Sequence, residues 1–173
     1  MRYSSVIRLG LALTIVGLAA AAPASTNMIG VYFVDPVQLY TCWDCIFMGQ
    51  PIDAYIVLTN LSEPAIGMDA KVTVDLPPTV FLTGINGPPG IVFIVPPGDD
   101  GNFYIGFTSP TPTDLVVAAR ITYLFMGSAY LEWYVGPADA GALPGTPSFA
   151  TAADPEVFVP LNPVSGSFGS PVA

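Results

Sequence analysis

Between residues 66 and 76 the chain alternates without a break. Ile66, Met68, Ala70, Val72, Val74 and Leu76 are apolar, and Gly67, Asp69, Lys71, Thr73 and Asp75 sit between them. Successive side chains of a strand point to opposite faces, so this stretch is a half-buried strand with one dry face and one wet face. Most later hydrophobic stretches share its short length and its period of two, and the chain therefore reads as all-β.

Taken in order, residues 28–34 form a first, edge-type strand that ends at Asp35-Pro36. Residues 38–49 break the pattern and carry both cysteines. Strand periodicity returns at Ile52, Ala54, Ile56 and Leu58, and residues 60–64 turn the chain into the organising strand. Pro77-Pro78 ends that strand, because neither residue can donate to a ladder. Short strands follow at 80–85, 91–95 and 103–107. Residues 115–125 are apolar on both faces apart from Arg120 and Thr122, which predicts a central strand covered on both sides over part of its length. A tight turn at 126–128 leads to a strand at 130–135 with Leu131, Trp133 and Val135 inward. The expectation is a two-sheet β-sandwich of about eight or nine mostly antiparallel strands, immunoglobulin-like or jelly-roll-like.

Residues 1–8 carry Arg2 and Arg8, residues 9–21 are apolar, and Ala22-Pro23-Ala24 supplies small residues for a cleavage site. Residues 1–24 thus read as a secretory signal peptide. The apolar run of about 13 residues is short of the roughly 20 that a bilayer span needs. Residues 25–136 are the expected sandwich core. Residues 137–173 are expected to hold a Pro/Gly-rich loop, a last short strand at 156–161 and a loosely ordered tail. From residue 25 onward Lys71 and Arg120 stand against 13 acids, a net charge of −11 that repels phosphate backbones and excludes nucleic-acid binding.

Three segments resemble strands of the cohesin-like and carbohydrate-binding-module-like sandwiches of secreted bacterial proteins. They are Ala54-Tyr55-Ile56-Val57-Leu58-Thr59-Asn60, the alternating run from Ala65 to Asp75, and the run from Leu115 to Phe125. Cohesins are non-catalytic sandwiches that bind a small helical module on one sheet face, and the related modules bind polysaccharide. The resemblance implies an extracellular or cell-surface role with a protein or a surface polysaccharide as partner. The insertion around Cys42 and Cys45 and the segment after residue 137 depart from the pattern, and no partner-binding residue transfers.

Cys42-Trp43-Asp44-Cys45 is the sharpest local motif. A C-x-x-C pair can be a redox dithiol, half a zinc site or a local disulfide. No cation neighbours it, and the chain has no further cysteine and no histidine, so in an exported protein a disulfide between Cys42 and Cys45 is the expectation. Without histidine there is no Ser-His-Asp or Cys-His arrangement, and the chain does not read as an enzyme. Carboxylate-only chemistry, as in a small glycoside hydrolase, would rest on Glu132 and Glu156. Asp99, Asp100 and Asn102 offer oxygen ligands for a calcium ion, although Asp, Gly and Asn are also the residues that polar hairpin turns favour. Tyr130, Glu132 and Tyr134 share the outer face of one strand and, with Trp43, could stack on sugar rings. The alternative is packing of those rings against another element. Asn60-Leu61-Ser62 fits the N-glycosylation pattern. The reading is a secreted, non-catalytic binding or assembly module, with a carbohydrate-binding module and an acid-only hydrolase as alternatives.

Overall fold

A computed structural model describes residues 25–33, 49, 51–95, 100–127, 131–168 and 170–173. The first half supplies β1 (Met28–Phe33), β2 (Pro51–Thr59), β3 (Ala65–Val74), β4 (Val80–Asn86) and β5 (Ile91–Val95). The second supplies β6 (Asn102–Phe107), β7 (Leu115–Phe125), β8 (Trp133–Gly136), β9 (Ser148–Thr151), β10 (Phe158–Pro160) and β11 (Asn162–Pro163). Five of them form one sheet in the order β11-β1-β2-β7-β4. Six form the other, in the order β10-β9-β3-β6-β5, with β8 pairing β3 beyond the end of β9. Only β1 and β11 run parallel; the other pairs are antiparallel. The protein is an all-β sandwich.

β3 is the axis of the six-stranded sheet, hydrogen-bonded to β6 on one side and to β9 and then β8 on the other. Met68, Ala70 and Val72 point into the core as their parity requires. The ends of the run behave otherwise. Register with β9 shifts between Ala65 and Gly67, which buries Ala65 and leaves Ile66 only half-buried. Leu76 lies past the end of β3 and is exposed.

β7 is central, between β2 and β4, but it is not covered on both faces. Val116 and Ala118 face inward before a bulge, and Ala119, Ile121, Tyr123 and Phe125 face inward after it. The bulge falls where the β2 partners step from Ile56 to Val57, paired with Ala119 and Val117. One extra residue switches the inward parity, and a strand buried on alternate parities in its two halves looks apolar on both.

Trp133 is fully buried in the core. Its ring meets Tyr123 edge-on at 5.1 Å between centroids and Phe33 at 6.0 Å. Val135 is buried beside it and Leu131 packs partly against the same cluster, as their spacing predicts.

The C-terminal region is more ordered than its composition suggests. The Pro/Gly-rich stretch contains β9, which pairs β3 and buries Phe149 completely. The expected loose tail instead closes the sandwich. Asn162 and Pro163 pair with Met28 and Ile29, so β1 is covered at its start and is not a plain edge. Val172 is buried, its amide donates to the Trp133 carbonyl at 2.7 Å, and the Trp133 amide donates to the Ala173 carbonyl. Short apolar anchors at Leu161 and Val172 fix a chain that is otherwise Ser, Gly and Pro.

Candidate functional site

The outward face of the six-stranded sheet carries the polar and exposed apolar groups that the fold brings together. On β3 the outward parity presents Asp69 and Lys71, and on β6 it presents Asn102 and Tyr104. Residues 137–147, which connect β8 to β9, lie across these side chains and are fastened by them. Lys71 Nζ donates to both carboxylate oxygens of Asp139 at 2.9 Å. The Asn102 side-chain amide donates to Asp139 and to Asp100, both at 2.9 Å, while its carbonyl oxygen accepts from the Asp139 backbone N–H at 2.9 Å. The Tyr104 hydroxyl accepts from the Ala140 N–H.

Deeper under the same connection, Asp69 is only 7% exposed. Its Oδ2 accepts from the Ala142 N–H at 2.9 Å and from the Ser148 hydroxyl at 3.0 Å. Its Oδ1 is buried with no hydrogen-bond donor among the described residues, and it lies close over Gly141, where an added Cβ would come within 3.0 Å of it. Burial here is the work of the connection, because by strand parity Asp69 belongs to the wet face.

The electrostatics follow from these contacts. The Lys71 ammonium and the Asn102 amide hold the Asp139 carboxyl below its ordinary range. The side-chain and backbone N–H groups of Asn102 do the same for Asp100. The hydrogen bond to Asp139 raises Lys71. All three groups reach solvent, so screening weakens the pair and its role is positional.

Of the residues singled out from sequence, Asp100 and Asn102 meet in this network. The Asn102 N–H also donates to Asp100 Oδ1 at 3.2 Å, which makes the local turn an Asx turn. Glu132 and Tyr134 come together as well, with the Tyr134 hydroxyl donating to Glu132 at 2.7 Å. Glu156 sits in the turn before β10, where its N–H donates to the Asp154 carboxylate. Cys42, Trp43, Cys45, Asp99 and Tyr130, and with them the expected disulfide, lie outside the described residues. Among the described residues no group of three or more His, Cys, Asp or Glu is placed to hold a metal ion. Nor is any helix there long and apolar enough to cross a membrane.

Sequence reading missed Asp69, Lys71, Tyr104, Asp139 and Ser148 as a cluster. Their partners are 36 to 79 residues apart, so no local spacing announces them. Asp69 and Lys71 fall on the wet face of the alternating strand, where polar residues are expected, so neither stood out.

Beside this network, β5 is an end strand of the sheet among the described residues. Its Val92, Ile94 and Val95 are 52%, 68% and 51% exposed, a run of aliphatic side chains that no other described element of the sheet presents. Register with β6 shifts between Phe93 and Val95, so Ile94 bulges. Its side chain lies over Gly106, whose lack of Cβ leaves the neighbouring surface shallow.

No family model matches the sequence, and no curated protein matches it. Solved structures do. A cohesin module from a family 33 glycoside hydrolase of Clostridium perfringens superposes with a TM-score of 0.50 at 10% identity, over 80% of this chain and 99% of that one. The sixth cohesin of scaffoldin B from Acetivibrio cellulolyticus, solved in complex with a Cel5 dockerin, gives a TM-score of 0.50 at 14% identity over 81% and 95%. At such identities the likeness speaks to architecture, and the architecture of this chain is cohesin-like.

Proposed function

We propose that this protein is a non-catalytic binding module that assembles with another protein outside the cytoplasm. The observation that carries the reading is the exposed aliphatic run on β5, an end strand, among the described residues, of a cohesin-like sandwich. Contiguous exposed apolar surface is costly in water and marks interaction sites. The neighbour solved with a dockerin is one sandwich of this architecture that holds a protein partner. A partner suited to this chain presents an apolar strip bordered by basic residues, because from residue 25 onward two cations stand against 13 acids and leave the module strongly negative. The basic-then-apolar opening of residues 1–24 supports export. A non-catalytic role is supported by the chemistry of the polar cluster, whose Lys71 and Asp139 are spent on each other.

The test is a pull-down of secreted and envelope proteins of the source organism on the immobilised protein, in parallel with an Ile94→Glu variant. Capture of a defined protein that is lost with Ile94→Glu, at an unchanged melting temperature, is the expected result. Retention of the module on envelope polysaccharide with no protein captured would replace this reading with the carbohydrate-binding one. Capture that is indifferent to Ile94→Glu would remove β5 from the interface.

A further inference from the structure

The outer face of the five-stranded sheet, on the other side of the sandwich from the 137–147 connection, carries its own group of polar side chains. Tyr55, Arg120 and Asn86 stand side by side on β2, β7 and β4, because Arg120 pairs with Tyr55 on one side and with Asn86 on the other. In the next outward row Asp53 pairs with Thr122, and Gly84 leaves the third place without a side chain. The turn after β4 sets Pro88 and Pro89 beside these groups. Its Ile91 N–H donates to the Pro88 carbonyl and its Gly90 has φ of +89°, a type II turn stiffened by the fixed φ of its prolines. Tyr55, Asn86, Gly87, Pro88, Pro89 and Arg120 line an open groove of about 320 Å³.

The polar groups of this groove have hydrogen-bonding capacity to spare. Arg120 stays protonated and presents a planar fork of N–H donors. Its ion pair with Asp53 Oδ2, at 3.8 Å, is too long for a hydrogen bond, and none of its N–H groups makes one among the described residues. Its side chain is 46% exposed, so a ligand can reach it. Asp53 is itself engaged by the Thr122 hydroxyl at 2.6 Å. The Asn86 side-chain amide, which lies over Gly84, also makes no hydrogen bond among the described residues and offers both a donor and an acceptor.

An unbonded guanidinium fork favours a planar carboxylate, which it can meet with two parallel hydrogen bonds. The rigid proline wall suits the C–H face of a ring, and the Asn86 amide suits a hydroxyl on that ring. We infer that this groove binds a carboxylate-bearing sugar, a uronic acid unit, with its carboxylate on Arg120, a hydroxyl on Asn86 and its ring against Pro88 and Pro89. Acids far from the groove are screened over about 8 Å at physiological ionic strength, so the charge that opposes such a ligand is that of Asp53, which competes for the same guanidinium. The site lies on the sheet that does not contain β5, and it stands or falls independently of a protein partner there.

The experiment follows the Nε–H signal of Arg120 and the backbone amide of Gly87 by two-dimensional NMR in the ¹⁵N-labelled protein. The chain has three arginines, so the Arg120 signal is the one lost in Arg120→Gln, and Arg2 and Arg8 serve as internal references. Titration with glucuronate should move both signals along a saturable curve. Glucose, the same ring without the carboxylate, should bind at least about tenfold more weakly, the loss expected for a charge-assisted pair. Benzoate, a carboxylate on a ring without hydroxyls, should also bind more weakly than glucuronate. Arg120→Gln should abolish saturation at Gly87, and Arg120→Lys, which keeps the charge but not the fork, should weaken binding several-fold. Asp53→Asn, which keeps an acceptor for Thr122 and removes the competing charge, should tighten it. A shift that stays linear in glucuronate, equal affinity for glucose or benzoate, undiminished binding in Arg120→Gln, or weaker binding in Asp53→Asn would each overturn the inference.

Discussion

Asp69 gives the most searching test of how the 137–147 connection is held. Replacing it by alanine removes the acceptor for the Ala142 N–H and for the Ser148 hydroxyl, which is fully buried. Each hydrogen bond to a charged acceptor contributes about 1.5–3 kcal/mol net, and a buried hydroxyl left unmet costs about 1–3 kcal/mol. Against this, the alanine also removes Oδ1, a buried oxygen with no donor among the described residues, and so recovers part of its desolvation. The hydroxyl's penalty is part of its lost hydrogen bond and is not added to it, so two bonds less the recovered desolvation leave a loss of about 2–3 kcal/mol. In a domain of this size about 1 kcal/mol lowers the melting temperature by roughly 2–4 °C, so Asp69→Ala should lower it by roughly 5–10 °C in thermal unfolding followed by circular dichroism. Asp69→Asn keeps one acceptor oxygen in place and should recover most of the loss. A double-mutant cycle with Ser148→Ala should show a coupling of at least about 0.5 kcal/mol. A melting temperature within 2 °C of wild type for Asp69→Ala, or strict additivity with Ser148→Ala, would refute the idea that this carboxylate pins the connection.

Hydrogen exchange at the Asp139 amide, which donates to Asn102, reports the outer part of the same fastening. Asp139 and Asp100 are depressed, so their contribution is present above the ordinary carboxylate pKa and is lost as pH falls through the lower folded values; Lys71 is raised, so its contribution is present below the ordinary lysine pKa and is lost as pH rises through the folded value. Protection of that amide should therefore be flat from about pH 5 to 9, fall on the acid side, and weaken with added salt. Gly101 has φ of +73°, and a Cβ there would run into the Val72 carbonyl oxygen, so Gly101→Ala should cost well over 2 kcal/mol in chemical denaturation. Gly145 has φ of +78° with open space around it, so Gly145→Ala should cost only about 1 kcal/mol. Removing residues 170–173 takes Val172 out of the core and frees the Trp133 backbone, and should destabilise the protein by about 2–4 kcal/mol.

The sandwich was legible because period-two alternation is a local property: β8 obeys it residue by residue, and Met68, Ala70 and Val72 of β3 and Phe103 and Ile105 of β6 keep the inward parity. Bulges are not legible in the same way. The mixed apolar run of β7 suggested burial on both faces, whereas the structure reaches it by switching parity between Ala118 and Ala119. β9 was hidden because its four residues, Ser148-Phe149-Ala150-Thr151, sit within a composition typical of loops, and only pairing with β3 makes them a strand. β11 is two residues long and carries no period at all. The polar cluster was half visible. Asp100 and Asn102 form a local turn, but their link to Asp139 and Lys71 depends on a connection folding back over the sheet, which no spacing encodes.

The two lateral sides of the sandwich are finished differently, and that difference bears on where a partner can engage. One side ends in β10 and β11, joined through buried Leu161 and followed by the tail that returns to Trp133, so its edge strands are only three and two residues long. The other ends in β4 and β5, longer strands joined by a tight turn, with Phe81 and Leu82 exposed on one and Val92, Ile94 and Val95 on the other. An end strand of that kind invites pairing with another chain unless something opposes it. Both strands carry a bulge, between Leu82 and Gly84 and between Phe93 and Val95, which bends the edge away from regular pairing. The high negative charge of the chain adds a repulsion between copies that a basic partner would not feel. Self-association is thus opposed twice, by geometry and by charge. An oppositely charged partner meets only the bulges, and it can use the exposed side chains of β5 without pairing to its backbone.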